Sequence, residues 1–169
     1  MSAIKYYGKY RGTVVNHLDP LQQGRLQVTV PDVTLPPSSW ATPCFPLAGI
    51  QSGAWAVPLP GTGVWVEFEQ GNADHPIWSG CWYGSKAEIP VLVASSPPPT
   101  PPILLQTPGQ TTLMLSDVPG PTGGILLKTK TGALISINDT GIIISNGKGA
   151  TVTLMGPTVA VNQTALTVT

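Results

Sequence analysis

The stretch Thr151-Val152-Thr153-Leu154-Met155-Gly156-Pro157-Thr158-Val159-Ala160-Val161-Asn162-Gln163-Thr164-Ala165-Leu166-Thr167-Val168-Thr169 decides the class of fold. Apolar residues stand two apart, and the pairs Val152/Leu154, Val159/Val161 and Leu166/Val168 recur every seven residues. Alternation of this kind is the signature of a strand with one apolar face. Working back, Ile125/Leu127, Ile135/Ile137 and Ile142/Ile144 repeat the form at spacings of seven to ten residues. Gly, Pro, Asn or Asp separate the pairs, as turns require. No helical period interrupts the run. Short strands at a regular period indicate stacked β-turns of chain, a solenoid or fibre. Such strands cannot bury an apolar face alone, and this segment is too short to make a capped single-chain solenoid. Identical chains are the expected neighbours.

The chain has 169 residues, a net charge of zero and 9% charged residues, against a typical quarter. That balance argues against nucleic-acid binding, which needs a basic surface. It also argues for surface covered by other subunits, because sparse charge leaves a small monomer poorly soluble. No apolar run reaches the length of a membrane-spanning helix. Met1-Ser2-Ala3-Ile4-Lys5 lacks the basic-then-apolar layout of a secretory signal, so assembly in the bacterial cytoplasm is expected. Two cysteines, Cys44 and Cys81, exclude a four-thiolate site. They read first as small buried hydrophobes, and second as a disulfide between strands.

The composition changes along the chain. Residues 1–89 hold all five tryptophans and eleven of the sixteen charged residues. Residues 90–169 hold no Trp, Tyr or Phe. The run Ser95-Ser96-Pro97-Pro98-Pro99-Thr100-Pro101-Pro102 reads as a semi-rigid extended spacer. The expected domains are therefore 1–89, a linker at 90–110, and the strand repeat at 111–169. In the first part, Thr13-Val14-Val15, Gly24–Val30, Val64–Phe68 and His75–Tyr83 read as strands, with Trp40–Leu47 and Gly53–Val57 as shorter candidates. Five or so strands in about ninety residues fit a small closed barrel, of which the OB-fold is a five-stranded case.

Four segments carry a resemblance: Gly24-Arg25-Leu26-Gln27-Val28; Trp40-Ala41-Thr42-Pro43; Pro58-Leu59-Pro60-Gly61-Thr62-Gly63-Val64-Trp65-Val66-Glu67-Phe68; and Gly71-Asn72-Ala73-Asp74-His75-Pro76-Ile77-Trp78-Ser79-Gly80. Together they resemble the OB-fold domain of the central spike of contractile injection machines. These are the baseplate spikes of contractile-tailed phages, the VgrG spikes of type VI secretion, and the spikes of released phage-tail-like particles. The similarity marks Gly24, Trp40, Pro58, Gly61, Gly71, Asp74, Pro76 and Gly80 as its structural motif. The C-terminal repeat resembles the same family's trimeric needle. The implied fold is all-β: an N-terminal five-stranded OB-fold barrel, then an intertwined triple-stranded β-helix in a homotrimer.

The needle core would be Ile125, Leu127, Ile135, Ile137, Ile142, Ile144, Val152, Leu154, Val159, Val161, Leu166 and Val168, with Lys128, Lys130 and Lys148 outside. The resemblance also implies partners: a baseplate hub, the inner tube, a PAAR-type tip protein at the end Ala165–Thr169, and transiently the target envelope. Some spikes carry a lysozyme domain after the barrel, for which the spacer leaves no room. Others carry a hub domain before it, and only about ten residues precede this barrel. Some phage spikes end in a histidine-lined iron site, whereas His17 and His75 both fall in the barrel.

Catalysis, cofactors and metals are not expected. Glu67 and Glu69 alternate with Val66 and Phe68, which puts both on one exposed strand face. Asp19, Asp32, Asp74, Asp117 and Asp139 sit in turn contexts, where Asp bonds nearby backbone, and Glu88 is the remaining candidate acid. Paired acid–base work needs two carboxylates in unlike environments of one cleft. One Asp74–His75 pair falls short of a ligand set. The tryptophans could stack nucleic-acid bases, but residues 1–89 are slightly acidic. Barrel core and subunit interface suit them better. Two other functions stay open: a trimeric tail fibre that binds glycans, and an OB-fold nucleic-acid binder.

Overall fold

The structure, a computed structural model, describes residues 4–33, 37–163 and 165–168. Met1–Ala3 of the leader reading and Thr169 of the expected blunt end lie outside the described residues. The chain forms two units, Met1–Glu88 and Ile89–Thr169.

The first unit is built on β1 (Tyr10–Asn16), β2 (Gln27–Thr29), β3 (Thr42–Pro43), the small hairpin β4 (Ala48–Gly49) and β5 (Ser52–Gly53), β6 (Gly63–Phe68) and β7 (Pro76–Trp82). Its five-stranded sheet runs β2-β1-β6-β7-β3. Leu26 and Ala41 exchange both backbone hydrogen bonds, at 3.0 and 2.7 Å, and so join the two sheet edges into a closed barrel. Closure leaves no free strand edge. The alternation read in the sequence decides which side chains go inside. Val14, Leu26, Val28, Val30, Val64, Val66, Phe68 and Trp78 form the buried core. Their strand neighbours Arg11, Thr13, Trp65 and Glu67 lie on the outer face, opposite in the pleat.

The β1–β2 loop is tied by one carboxylate. Asp19 accepts from the backbone N–H of Leu21 (3.0 Å), Gln23 (2.8 Å) and Arg25 (3.2 Å), and from the Arg25 guanidinium at 2.6 Å. Its side chain is only 3% exposed. The Arg25 guanidinium first, and then these three N–H groups, hold its carboxyl well below the usual carboxylate range. A depressed carboxyl stabilises the fold above the unfolded-state value of about 4 and loses that contribution as pH falls below it. The melting-temperature gap between wild type and Asp19→Asn should therefore stay constant from neutral pH down to about 5 and narrow below about 4. A gap that widens on acidification would contradict this sign.

The second unit is an antiparallel meander of eight strands in chain order. They are β8 (Ile103–Gln106), β9 (Thr112–Ser116), β10 (Gly124–Lys128), β11 (Leu134–Asn138), β12 (Gly141–Ser145), β13 (Thr151–Met155), β14 (Thr158–Val161) and β15 (Leu166–Val168). The turns explain the pairing. In the two-residue link between β11 and β12, Asn138 Oδ1 accepts from the Thr140 N–H at 2.9 Å. Three five-residue links are closed by the same backbone bond, Thr107 to Thr111, Thr129 to Ala133 and Asn146 to Ala150, at 3.0, 2.8 and 3.1 Å. Tight hairpin links favour pairing of consecutive strands.

One correction follows. Residues 90–110, which composition assigns to a spacer, hold the helical turn α1 (Val91–Ala94) and strand β8. The strand repeat thus begins at Ile103, and the prolines precede it. The backbone ladders between consecutive strands close within one chain. What is left for neighbours is side chains and the free edges of β8 and β15.

A cut after Glu88 should leave a folded barrel, since its core uses no residue of the second unit. Tryptophan emission reports on the barrel alone, because all five tryptophans lie there. Solvent-exposed emission from the fragment would overturn the two-core picture.

Candidate functional site: an unpartnered apolar sheet face and a barrel cleft

The register of the meander aligns two side-chain ladders on one face. One runs Ile103, Leu115, Ile125, Ile137, Ile142, Leu154, Val159, Val168. The other runs Leu105, Leu113, Leu127, Ile135, Ile144, Val152, Val161, Leu166. Every position in both is Leu, Ile or Val. All twelve residues expected in the needle core fall in these two ladders. Ile103, Leu105, Leu113 and Leu115 belong to them as well. Thirteen of the sixteen are 36–68% exposed in the single chain. A contiguous apolar surface of this extent marks an interaction site. Covering it would stabilise on the order of 1 kcal/mol per side chain, at about 25 cal/mol per Å².

The other face differs. Its central ladder runs Leu104, Met114, Leu126, Ser136, Ile143, Thr153, Ala160, apolar at first and mostly small or polar later. Met114 is already 6% exposed, and Ile89–Leu92 share a cleft with Thr112 and Lys128. Lys128, Lys130 and Lys148 are exposed. Side-chain size on the apolar face also declines along the chain. Strands β8 to β12 supply only Leu and Ile, while β13 to β15 bring in Val152, Val159, Val161 and Val168.

Neighbouring turns stack closely at the strand ends. Gly147 has φ +69°, and a Cβ there would stand 2.7 Å from the backbone of Gly132 and Ala133. Asp139 Oδ2 accepts from the Gly120 N–H at 2.8 Å, so this aspartate ties two adjacent turns.

In the barrel, three motif residues meet. Trp40, Asp74 and Pro76 line one open cleft of about 720 Å³, together with Arg25, Cys44 and Ile77. The Arg25 guanidinium lies 5.5 Å from the Trp40 ring centroid. The other motif residues are elsewhere. Gly24 underlies Phe45 and Trp55, and its carbonyl accepts from Trp78 Nε1 at 3.1 Å. The Gly71 carbonyl accepts from the Tyr6 N–H at 3.0 Å. Pro58 and Gly61 flank the loop into β6, where the Gly61 N–H donates to Val14 at 2.8 Å. Gly80 sits at a bulge, with Ser79 and Gly80 facing Trp65 between the pairs Val66–Trp78 and Val64–Cys81.

Several expectations are corrected. The turn before β7 is capped by Asn72, whose Oδ1 accepts from the Asp74 N–H at 3.1 Å. Asp74 itself contributes its carbonyl, to Ser39 Oγ at 2.8 Å. Glu69 does not share the strand face of Glu67; it opens a 3-10 turn, Glu69–Gly71. Cys44 and Cys81 are free thiols on exposed residues, neither buried nor bridged. Of the tryptophans, only Trp78 joins the buried core, and Trp55 is 64% exposed. The strand candidates Trp40–Leu47 and Gly53–Val57 shrink to β3 and the end of β5.

The chemistry of these surfaces is that of contact. Among the described residues, no three His, Cys, Asp or Glu side chains gather as a metal site. His75 is exposed, and His17 Nδ1 is buried without a hydrogen-bond partner. Arg11 lies over Trp65 and Trp82, 5.7 and 4.8 Å from their centroids. The guanidinium thus covers the faces of these two rings. No described helix is long and apolar enough to cross a membrane.

Comparison with known families gives two matches in the order of the two units. Residues 10–83 match the model described as the type VI secretion system/phage-baseplate injector OB domain. Residues 102–167 match the phage baseplate V C-terminal trimerisation domain. No curated protein matches the chain.

Proposed function

Because this chain belongs to the baseplate spike family of phages and type VI secretion systems, we propose that it works as a homotrimeric central spike that pierces a target envelope when a contractile sheath fires. A structural role in the baseplate, all-β architecture and trimerisation are the family's own properties. The piercing role is our reading, and the pair of apolar ladders carries it. Three sheets that turn these faces together bury them along one axis. Each sheet keeps its hydrogen-bonded ladders inside one chain, so load along the axis meets a continuous bonded meander. Resistance to bending comes from packing between three chains, and resistance to unravelling from pairing within each. The decline from Leu and Ile to Val supports a spike that narrows toward its end.

In this reading the protein has no catalytic step. A separate hub and the inner tube hold the barrels, and contraction supplies the work. The free backbone edge of β15, the last strand of the sheet order, supports a PAAR-type tip protein as a partner there. Light scattering on dilute full-length protein tests the core of the proposal. A trimer that resists dilution is the expected result, and a folded monomer with intact β signal would end it.

A further inference from the structure

Five charged residues follow Glu88, namely Asp117, Lys128, Lys130, Asp139 and Lys148. The meander sorts them by sign. Links between consecutive antiparallel strands alternate between the two margins of the sheet. The links β8–β9, β10–β11 and β12–β13 therefore share one margin, and β9–β10, β11–β12 and β13–β14 share the other. Lys130 and Lys148 lie in links of the first margin, where Lys128 also ends β10. Asp117 and Asp139 lie in links of the second. All five are exposed, and among the described residues none forms an ion pair within the chain. A strand such as β10, five residues long and so roughly 17 Å, separates the margins. That is further than a lysine side chain reaches. The spacing matches as well. The links of Lys130 and Lys148 are two strands apart, as are those of Asp117 and Asp139, or about 10 Å in each case. The acidic links are displaced from the basic ones by one strand.

We infer that the two margins pair between chains, Lys130 and Lys148 of one copy with Asp117 and Asp139 of the next, and that this pairing fixes the order and axial register of the three sheets. The inference rests on the homotrimer above and adds a rule that the apolar ladders lack. Those ladders are Leu, Ile or Val at every step, so they pack equally well after a slip of one strand along the axis. Charge breaks that degeneracy. In a closed cyclic trimer the copies share one height and each contact joins unlike patches. The Lys130 link then stands level between the neighbour's Asp117 and Asp139 links, and the Lys148 link one strand beyond Asp139. A two-fold contact would set lysine against lysine, and an open, stepped arrangement would leave a lysine facing the uncharged link Gly156-Pro157. The acidic margin is held in place, because Asp139 Oδ2 accepts from Gly120 in the link that also carries Asp117. Exposed ion pairs add little stability, but complementary charge sets register and rejects wrong pairings.

A carbodiimide, which joins an amine to a carboxylate in contact and leaves no spacer, tests the pairing on full-length wild-type protein. The pair Lys9–Glu67, 2.9 Å apart within one barrel, is the internal standard. Denaturing gels should show bands of two and three chain masses, and mass spectrometry of those bands should find Lys130 or Lys148 joined to Asp117 or Asp139. The bands should weaken at least tenfold in the double variant Asp117→Asn, Asp139→Asn, while light scattering still reports a trimer. The Asn amide keeps an oxygen for the Gly120 N–H, so the turns survive the change. A Lys9–Glu67 link without any link between margins, in an intact trimer, would overturn the pairing and leave the homotrimer standing. A monomer would overturn the homotrimer, and the pairing with it.

Discussion

Ile137→Asp is expected to abolish trimer formation, whereas Lys130→Asp leaves it intact. Ile137 sits mid-sheet in one apolar ladder, between Ile125 and Ile142, and is 40% exposed in the single chain. In the proposed trimer, three copies meet near one axis. Each substitution removes apolar burial of roughly 1.5–3 kcal/mol. It also places a carboxylate where desolvation costs several kcal/mol unless it takes up a proton. Summed over three chains, the loss exceeds the 5–15 kcal/mol that holds a typical domain together. Lys130 lies in the exposed turn between β10 and β11, where a change of charge is worth about 0.5 kcal/mol or less. Light scattering at micromolar concentration separates the two outcomes. Equal tolerance would mean that the inward face is the one carrying Ser136 and Ile143, a register slip of one residue.

Much of this surface is legible in the sequence because a strand has a period of two. An alternation of Ile or Val with Thr or Ser leaves one assignment of faces. The misses have physical causes. Ile103 and Leu105 follow a proline run whose composition dominates any window that includes them. Leu113 and Leu115 flank Met114, and three apolar residues in a row hide the alternation. Met114 earns its apolar character on the other face, where it is 6% exposed.

Periodicity also says where a strand lies without saying which chain it pairs with. The turns carry that information, in Asn138-Asp139-Thr140-Gly141 and Met155-Gly156-Pro157-Thr158. In the barrel, the alternation of Val64, Val66 and Phe68 located the core. The exposed cysteines and the bare Ile50 were not readable, because residue type sets a tendency to be buried while the packing of loops decides it. The cleft likewise joins Trp40 to Asp74 and Pro76 across more than thirty residues of sequence, a proximity created by the parallel pairing of β3 with β7 and the Ser39–Asp74 hydrogen bond.

Trp78→Ala should unfold the barrel and spare the trimer. Trp78 is 4% exposed and pairs with Val66 on one side and Pro43 on the other, so it links β6, β7 and β3. Its Nε1 donates to the Gly24 carbonyl at 3.1 Å, and its own carbonyl accepts from the Cys44 N–H at 2.8 Å. Truncation of a buried Trp costs about 3–5 kcal/mol. The carbonyl of buried Gly24, left without its donor, adds about 1–3 kcal/mol. A barrel of this size sits at the low end of the usual 5–15 kcal/mol of stability, so the sum is enough to unfold it. The C-terminal sheet shares none of these contacts, and the proposed interface is drawn from its ladder residues. The four remaining tryptophans should shift to solvent-exposed emission, while light scattering still reports a trimer. Loss of the trimer together with the barrel signal would show that the sheets need folded barrels to associate. The two units would then fold as one cooperative body.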